Sequence, residues 1–202
     1  MIKTFLFDMG NVLVYFSHDL MCEQMGALCG KTGPEIRELL IDSGLQWEFE
    51  RGRMSPQEFC NRFENEVNYR VQLDKLLHAG SDIFTLNEPI VPILDSLKSL
   101  GHRLVLLSNT SVAHFKFVSQ NYDVLGRFDD FVVSYKVGAV KPEPEIFQAA
   151  LNAIDCQPDE CFYTDDIAEY VQLGRQNGLQ AEVFTDTENL VDQLRQRDIH
   201  VR

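Results

Sequence analysis

The sequence predicts an α/β protein, a doubly wound parallel sheet with a block of helices inserted after its first strand. Three observations carry this reading. Short apolar and β-branched runs recur along the chain, and each stops abruptly at polar or turn-forming residues. Helix-patterned segments separate the later runs, and consecutive parallel strands need such crossovers. The stretch from about Ser17 to Leu86 carries helical patterning and no convincing strand.

Taken in order, Ile2 to Phe7 reads as a buried strand ending at Asp8-Met9-Gly10-Asn11. In the inserted block, Thr32-Gly33-Pro34-Glu35 looks like a helix start, with Thr32 or Gly33 near the cap and Pro34 tolerated in the first turn. Ser55-Pro56-Gln57-Glu58 repeats the device, and Phe59, Phe63 and Val67 continue that helix. Ile90, Ile93, Leu94, Leu97 and Leu100 form one helical face, leading to a second strand at Leu104–Leu107 that ends at Ser108-Asn109-Thr110. A third strand, Phe131–Val133, runs into a loop holding Gly138, Lys141 and Pro142; the face Ile146, Phe147, Ala150, Leu151 and Ile154 follows. The last strands are Cys161–Thr164, ending at Asp165-Asp166, and Ala181–Phe184. This divides the chain into a Rossmann-like core, residues 1–16 and 87–202, and a helical cap, residues 17–86.

Composition narrows the function. With 31 acidic against 18 basic residues, the 202-residue chain has a formal charge of −13, the wrong sign for a protein that grips nucleic acid through its phosphates. The five cysteines form no CxxC pair and no even-numbered framework, so neither a zinc ribbon nor a disulfide scaffold is indicated. Asp8 interrupts the first apolar run too early for a signal peptide, and no later run is long enough to span a bilayer. A cytoplasmic protein with no membrane partner, monomeric or homodimeric, is expected.

Four strand or strand-loop units end in residues suited to phosphate chemistry: Asp8, Ser108, Lys141 and Asp166. In an open parallel sheet the carboxyl ends of the strands line one crevice, so these residues should converge. Asp8 offers a carboxylate nucleophile, and Asp166 a second carboxylate to share a hard cation with it. Ser108 and Lys141 offer a hydroxyl donor and a point charge for phosphoryl oxygens. Taken singly, each could be a turn or capping residue. Their order along the chain is what capping alone does not produce.

In that order the motifs FDMGNVL (from Phe7), LSNT (from Leu107), KPEPEIF (from Lys141) and FYTDD (from Phe162) resemble those of the haloacid dehalogenase superfamily. The helical insertion resembles its helical cap. Within it, FDMGNVLV and Glu50-Arg51-Gly52-Arg53-Met54-Ser55 are most similar to the bacterial sugar-phosphate phosphatases. The resemblance implies a Mg²⁺-dependent phosphatase of a small phosphorylated metabolite, with a sugar phosphate as the candidate. Asp8 would form an aspartyl phosphate, and Asp8, the Gly10 carbonyl and Asp166 would hold Mg²⁺. Ser108, Asn109 and Lys141 would bind the phosphoryl group, with Asp165 next to the cation.

Two positions depart from the pattern. Phosphatases of this superfamily usually carry a second Asp two residues after the nucleophile as proton donor, and here Gly10 stands there. The sugar-phosphatase branch shares that glycine. Because a positioned acid is worth about 10²–10⁴ in rate, cleavage is expected to lean on good leaving groups; His18 and Asp19 are the nearest substitutes. Tyr170 stands where relatives often have Asn or Asp supporting the cation's ligands. Two alternatives stay open. One is a metal-independent 2-haloacid dehalogenase, in which paired Asp165-Asp166 would be unneeded charge. The other is a catalytically weakened binding or regulatory protein of the same fold.

Overall fold

The computed structural model describes residues 1–201. In chain order the strands are β1 (Thr4–Phe7), β2 (Val14–Phe16), β3 (Phe84–Leu86), β4 (Arg103–Ser108), β5 (Asp130–Val133), β6 (Cys161–Asp165) and β7 (Gln180–Val183). The helices are α1 (His18–Ala27), α2 (Gly33–Arg37), α3 (Leu45–Glu50), α4 (Pro56–Val67), α5 (Leu73–Ser81), α6 (Ile90–Ser99), α7 (Val112–Asn121), α8 (Ser134–Val137), α9 (Pro144–Ala153), α10 (Ala168–Gln176) and α11 (Thr187–Arg195).

Five strands form one parallel sheet in the order β5-β4-β1-β6-β7. The order reverses at β1, which is central and buried along its whole length, as expected for a strand covered by helices on both faces. The two-residue period of the strands divides the core. Phe5, Phe7, Leu104, Leu106 and Phe162 pack into one apolar cluster, while Leu6, Val105, Leu107, Cys161 and Tyr163 pack into the other with Ile146, Phe147 and Ala150 of α9. The face Ile90–Leu97 is buried on α6, but Leu100 lies just past the helix end and is exposed.

The inserted segment is mostly helical, α1 to α5, and its predicted starts form as read. Thr32 and Ser55 each accept the backbone N–H three residues on, and Glu35 and Glu58 reach back, closing two capping boxes with Pro34 and Pro56 in the first turns. One reading changes. The stretch up to Leu86 is not free of strand, because β2 and β3 pair antiparallel, with Val14 opposite Leu86 and Phe16 opposite Phe84. Three-residue strands are too short to show alternation in sequence. Their ribbon anchors both ends of the helical insertion beside the carboxyl edge of the sheet, and Asn87 fastens it through bonds to the Val12 and Leu13 carbonyls.

Candidate active site

Register brings the predicted residues together. Phe7 is opposite Leu106 of β4 and Thr164 of β6, so the next residues on all three strands, Asp8, Leu107-Ser108 and Asp165-Asp166, emerge at one edge. Lys141 comes from the loop after α8. Its position is fixed by Asn109, whose side chain accepts from the Lys141 N–H at 2.7 Å and donates to the Lys141 carbonyl at 3.0 Å.

The ammonium of Lys141 is buried and fully engaged. Its nitrogen lies 2.9 Å from Asp8 Oδ1 and 2.6 Å from Asp165 Oδ2, and donates to the Leu107 carbonyl at 3.1 Å. It also sits 5.2 Å from the centre of the Tyr170 ring, a cation–π contact. Although burial alone would lower its pKa, Asp165 and Asp8 outweigh that and raise it, so the lysine stays charged. Burial pushes the Asp8 carboxyl up to about 7 against the pull of Lys141, with Asp165 pushing the same way. Asp165 also accepts from the Tyr163 hydroxyl at 2.6 Å and from the Ile167 N–H at 2.9 Å, so it orients Lys141. Asp166 takes an Asn11 amide bond at 2.9 Å, and burial raises its pKa. Asn11 adopts a left-handed φ of 54°, a conformation that asparagine tolerates.

Above this edge lies a cavity of about 190 Å³ between sheet and cap. Asp8, Gly10, Asn109, Lys141 and Asp166 reach it from the core. Ser108 and Asp165 do not form its wall; both are buried behind it, and among the described residues the Ser108 hydroxyl hydrogen-bonds only to the Asn109 carbonyl, at 3.4 Å. Asn109, expected among the phosphate-binding residues, spends its side chain on the Lys141 backbone. Of the two substitutes suggested near Gly10, Asp19 is exposed and paired with Arg37, whereas His18 lines the cavity edge-on to Phe16 and Trp47.

Two further lining residues, His114 and Glu50, were not among the site residues predicted from sequence, and Thr110 was present there only as the last letter of LSNT. His114, on the first turn of α7, is buried and bonded through Nε2 to the Gly80 carbonyl at 3.0 Å. Glu50, at the end of α3, is a buried carboxyl, with Gln46 donating to its Oε1 at 3.0 Å. In sequence it was visible only as one letter of the Glu50–Ser55 resemblance.

Residues 2–178 match the haloacid dehalogenase-like hydrolase family, and the chain belongs to it. A D-ribitol-5-phosphate phosphatase of Bacteroides thetaiotaomicron is 26% identical over 189 residues, covering 89% of this chain and 90% of that protein. A solved haloacid dehalogenase family enzyme from the same organism, in complex with magnesium and inorganic phosphate, superposes with a TM-score of 0.83 at 24% identity, over 92% of this chain and 96% of the other. The L-2-haloacid dehalogenase of Xanthobacter autotrophicus superposes at 0.65 with 16% identity, over 98% and 84%, and so shares the fold. Among the described residues no helix is long and apolar enough to cross a membrane.

Proposed function

We propose that the chain is a Mg²⁺-dependent phosphatase that hydrolyses a small phosphorylated metabolite, a sugar or polyol phosphate, through an aspartyl phosphate on Asp8. The observation that carries this is the buried Asp8–Lys141–Asp165 ion system at the sheet edge, open on one side to a small cavity. The relative acting on D-ribitol 5-phosphate supports the substrate class. A cavity of about 190 Å³ is below the usual 300–1,000 Å³ of drug-sized pockets and suits a short-chain metabolite.

The donor set fits a hard divalent cation. Carboxylate oxygens of Asp8, Asp165 and Asp166 lie within 4.8 Å of one another, and Lys141 balances only one of the three charges. Because Asp165 is taken by Lys141, Tyr163 and the Ile167 N–H, Asp8, Asp166 and the Gly10 carbonyl are the groups that would hold it. Magnesium, when bound, shields the charge of two approaching anions.

The chain's own groups do the rest. Asp8 attacks phosphorus in line with the bond to the leaving oxygen, which therefore departs on the cap side. Lys141 has no idle donor: its contacts are Asp8, Asp165 and Leu107. As the Asp8 oxygen forms its bond to phosphorus it gives up its negative charge, and the Lys141 N–H that it held turns to a phosphoryl oxygen. Asn109 and Asp165 keep the lysine in place through this exchange. The dehalogenase alternative needs no third carboxylate, and the clustering of Asp166 with Asp8 favours the phosphatase.

The test is phosphate release from a panel of sugar and polyol phosphates, with Mg²⁺ and with EDTA, for the chain and for Asp8→Asn. Release that needs Mg²⁺ and disappears in Asp8→Asn is expected. Turnover surviving in either EDTA or Asp8→Asn overturns the reading, and halide release from 2-haloacids in EDTA replaces it with the dehalogenase.

A further inference from the structure

The position that usually supplies the proton donor is closed in this chain. A Cβ built on Gly10 would lie 2.8 Å from Phe16 Cε1, so the Phe16 ring occupies the space of a side chain there. The donor has to come from another direction. In-line attack by Asp8 sends the leaving oxygen toward the cap, and Glu50 is the cap carboxyl that lines the cavity.

Glu50 is held there by three consecutive residues. Its carbonyl accepts from the Ser134 hydroxyl at 2.7 Å, and the Ser134 Oγ in turn accepts at 2.9 Å from the N–H of Thr110, two residues after Ser108. Arg51 pairs with Glu143 at 2.6 Å, two residues after Lys141. Gly52, at a φ of +68°, packs on the Tyr135 carbonyl so tightly that a Cβ would lie 2.2 Å from that oxygen, which only glycine permits. The cap thus docks on the loops that carry the phosphate-handling residues, with Glu50 as the contact that faces inward. Among the described residues no lysine or arginine forms an ion pair with its carboxyl, and its bonded partner is the neutral amide of Gln46.

We propose that Glu50 is the catalytic acid that replaces the side chain missing at Gly10. The proposal rests on the phosphatase reading. As the Asp8 oxygen bonds to phosphorus and the bond to the leaving oxygen breaks, the Glu50 O–H proton passes to that oxygen, releasing a neutral alcohol and leaving a carboxylate. In the second half, that carboxylate takes a proton from the water attacking phosphorus, the Asp8–phosphorus bond breaks, and inorganic phosphate leaves with the acid restored. Burial lifts the Glu50 carboxyl to about 7, over the opposing Gln46 bond and Arg51 charge, which suits a group that gives and takes a proton near neutrality. The lean toward good leaving groups expected from Gly10 is then removed by a residue far away in sequence.

The experiment is a leaving-group series, from alkyl and polyol phosphates to p-nitrophenyl phosphate, run on the chain and on Glu50→Gln, whose amide oxygen still accepts from Gln46. Glu50→Gln should lose about 10²–10³ in kcat on alkyl phosphates, less than about tenfold on the aryl ester, with KM little changed. Equal losses across the series, or a raised KM with kcat intact, would make Glu50 a structural or hydroxyl-binding residue and overturn the proposal. Should Glu50→Gln not fold, the unaltered chain decides: a rate nearly independent of leaving-group pKa supports an internal acid, and a steep dependence overturns it. If no ester in the series is cleaved by the unaltered chain, the phosphatase reading itself fails, and the proposal with it.

Discussion

The Ser134 hydroxyl and the Glu50 carbonyl, 84 residues apart, meet at 2.7 Å and join the core to the cap beside the cavity that Glu50 and Thr110 line. Ser134 has one hydrogen and two carbonyls in reach, Glu50 and Thr110 at 3.0 Å, while its oxygen satisfies the Thr110 N–H. Ser134→Ala leaves a buried donor and a buried acceptor without this partner, at a cost of about 1–3 kcal/mol. The expected outcome is a lowered unfolding midpoint in urea together with a raised KM, because the contact that holds the cap on the core beside the cavity is loosened. A KM unchanged alongside the lost stability would show that Ser134 braces α8 without governing closure.

Lys141 pairs with two carboxylates at once, so its removal exposes both to each other. Lys141→Met keeps much of the volume and should lower kcat by at least about 10²-fold, the usual loss for a donor aimed at developing charge. Asp8 and Asp165 would then face one another in a buried site, and removing one partner of a buried pair costs about 3–5 kcal/mol. Denaturant unfolding without added cation checks this, and added Mg²⁺ should return part of the loss. Unaltered stability would mean that the carboxylates do not depend on the lysine.

The sheet and the core half of the candidate site were legible in sequence because the central strands β1, β4 and β6 are mostly apolar runs and the polar residues that end them lie at a fixed place on the sheet edge. Asp8 and Asp166 needed nothing beyond strand ends and topology to be brought together, whereas Lys141 follows α8 and is placed by its loop and by Asn109. Ser108 and Asn109 follow the same rule, but the direction of their side chains does not, since whether a side chain faces the cavity or the neighbouring backbone is decided by rotamer and loop path. The cap contribution was hidden for a different reason. Glu50 reaches the cavity through the docking of α3 on α8 and the loop after β4, contacts of long sequence separation that no local pattern encodes. The ribbon of β2 and β3 escaped because each strand offers only three residues.

His114 predicts an acid-sensitive fold. Burial outweighs its bond to the Gly80 carbonyl and lowers its pKa from 6.5 to about 4. The folded imidazole is therefore neutral over a range where the unfolded one takes up a proton. The associated stability is complete above about pH 6.5 and is lost as pH falls toward 4, by about 3 kcal/mol in all. His114→Gln, whose amide N–H can serve the Gly80 carbonyl, removes that titration. Urea unfolding at pH 7.5 and pH 4.5 should show a smaller loss for the variant than for the unaltered chain. Equal losses would place the acid sensitivity elsewhere.

Restoring an aspartate at position 10 should not restore a donor. The ring of Phe16 stands 2.8 Å from where the new Cβ would sit, and Phe16 is itself held by Phe84 across the ribbon and by His18. Gly10→Asp alone is expected to overpack the site, costing about 1–3 kcal/mol, and to lower kcat as the neighbouring carboxylates Asp8 and Asp166 shift. Phe16→Ala alone opens a gap in the cavity wall. The pair should be less damaged than the sum of the two, with a coupling of about 1 kcal/mol in stability, because the small residue at 16 makes room for the large one at 10. Activity follows the same logic. In a Glu50→Gln background the Gly10→Asp, Phe16→Ala pair should regain turnover of alkyl phosphates, since the carboxyl lost from the cap is resupplied from the strand edge. Strict additivity in the unfolding cycle would mean that Phe16 does not exclude a side chain at position 10.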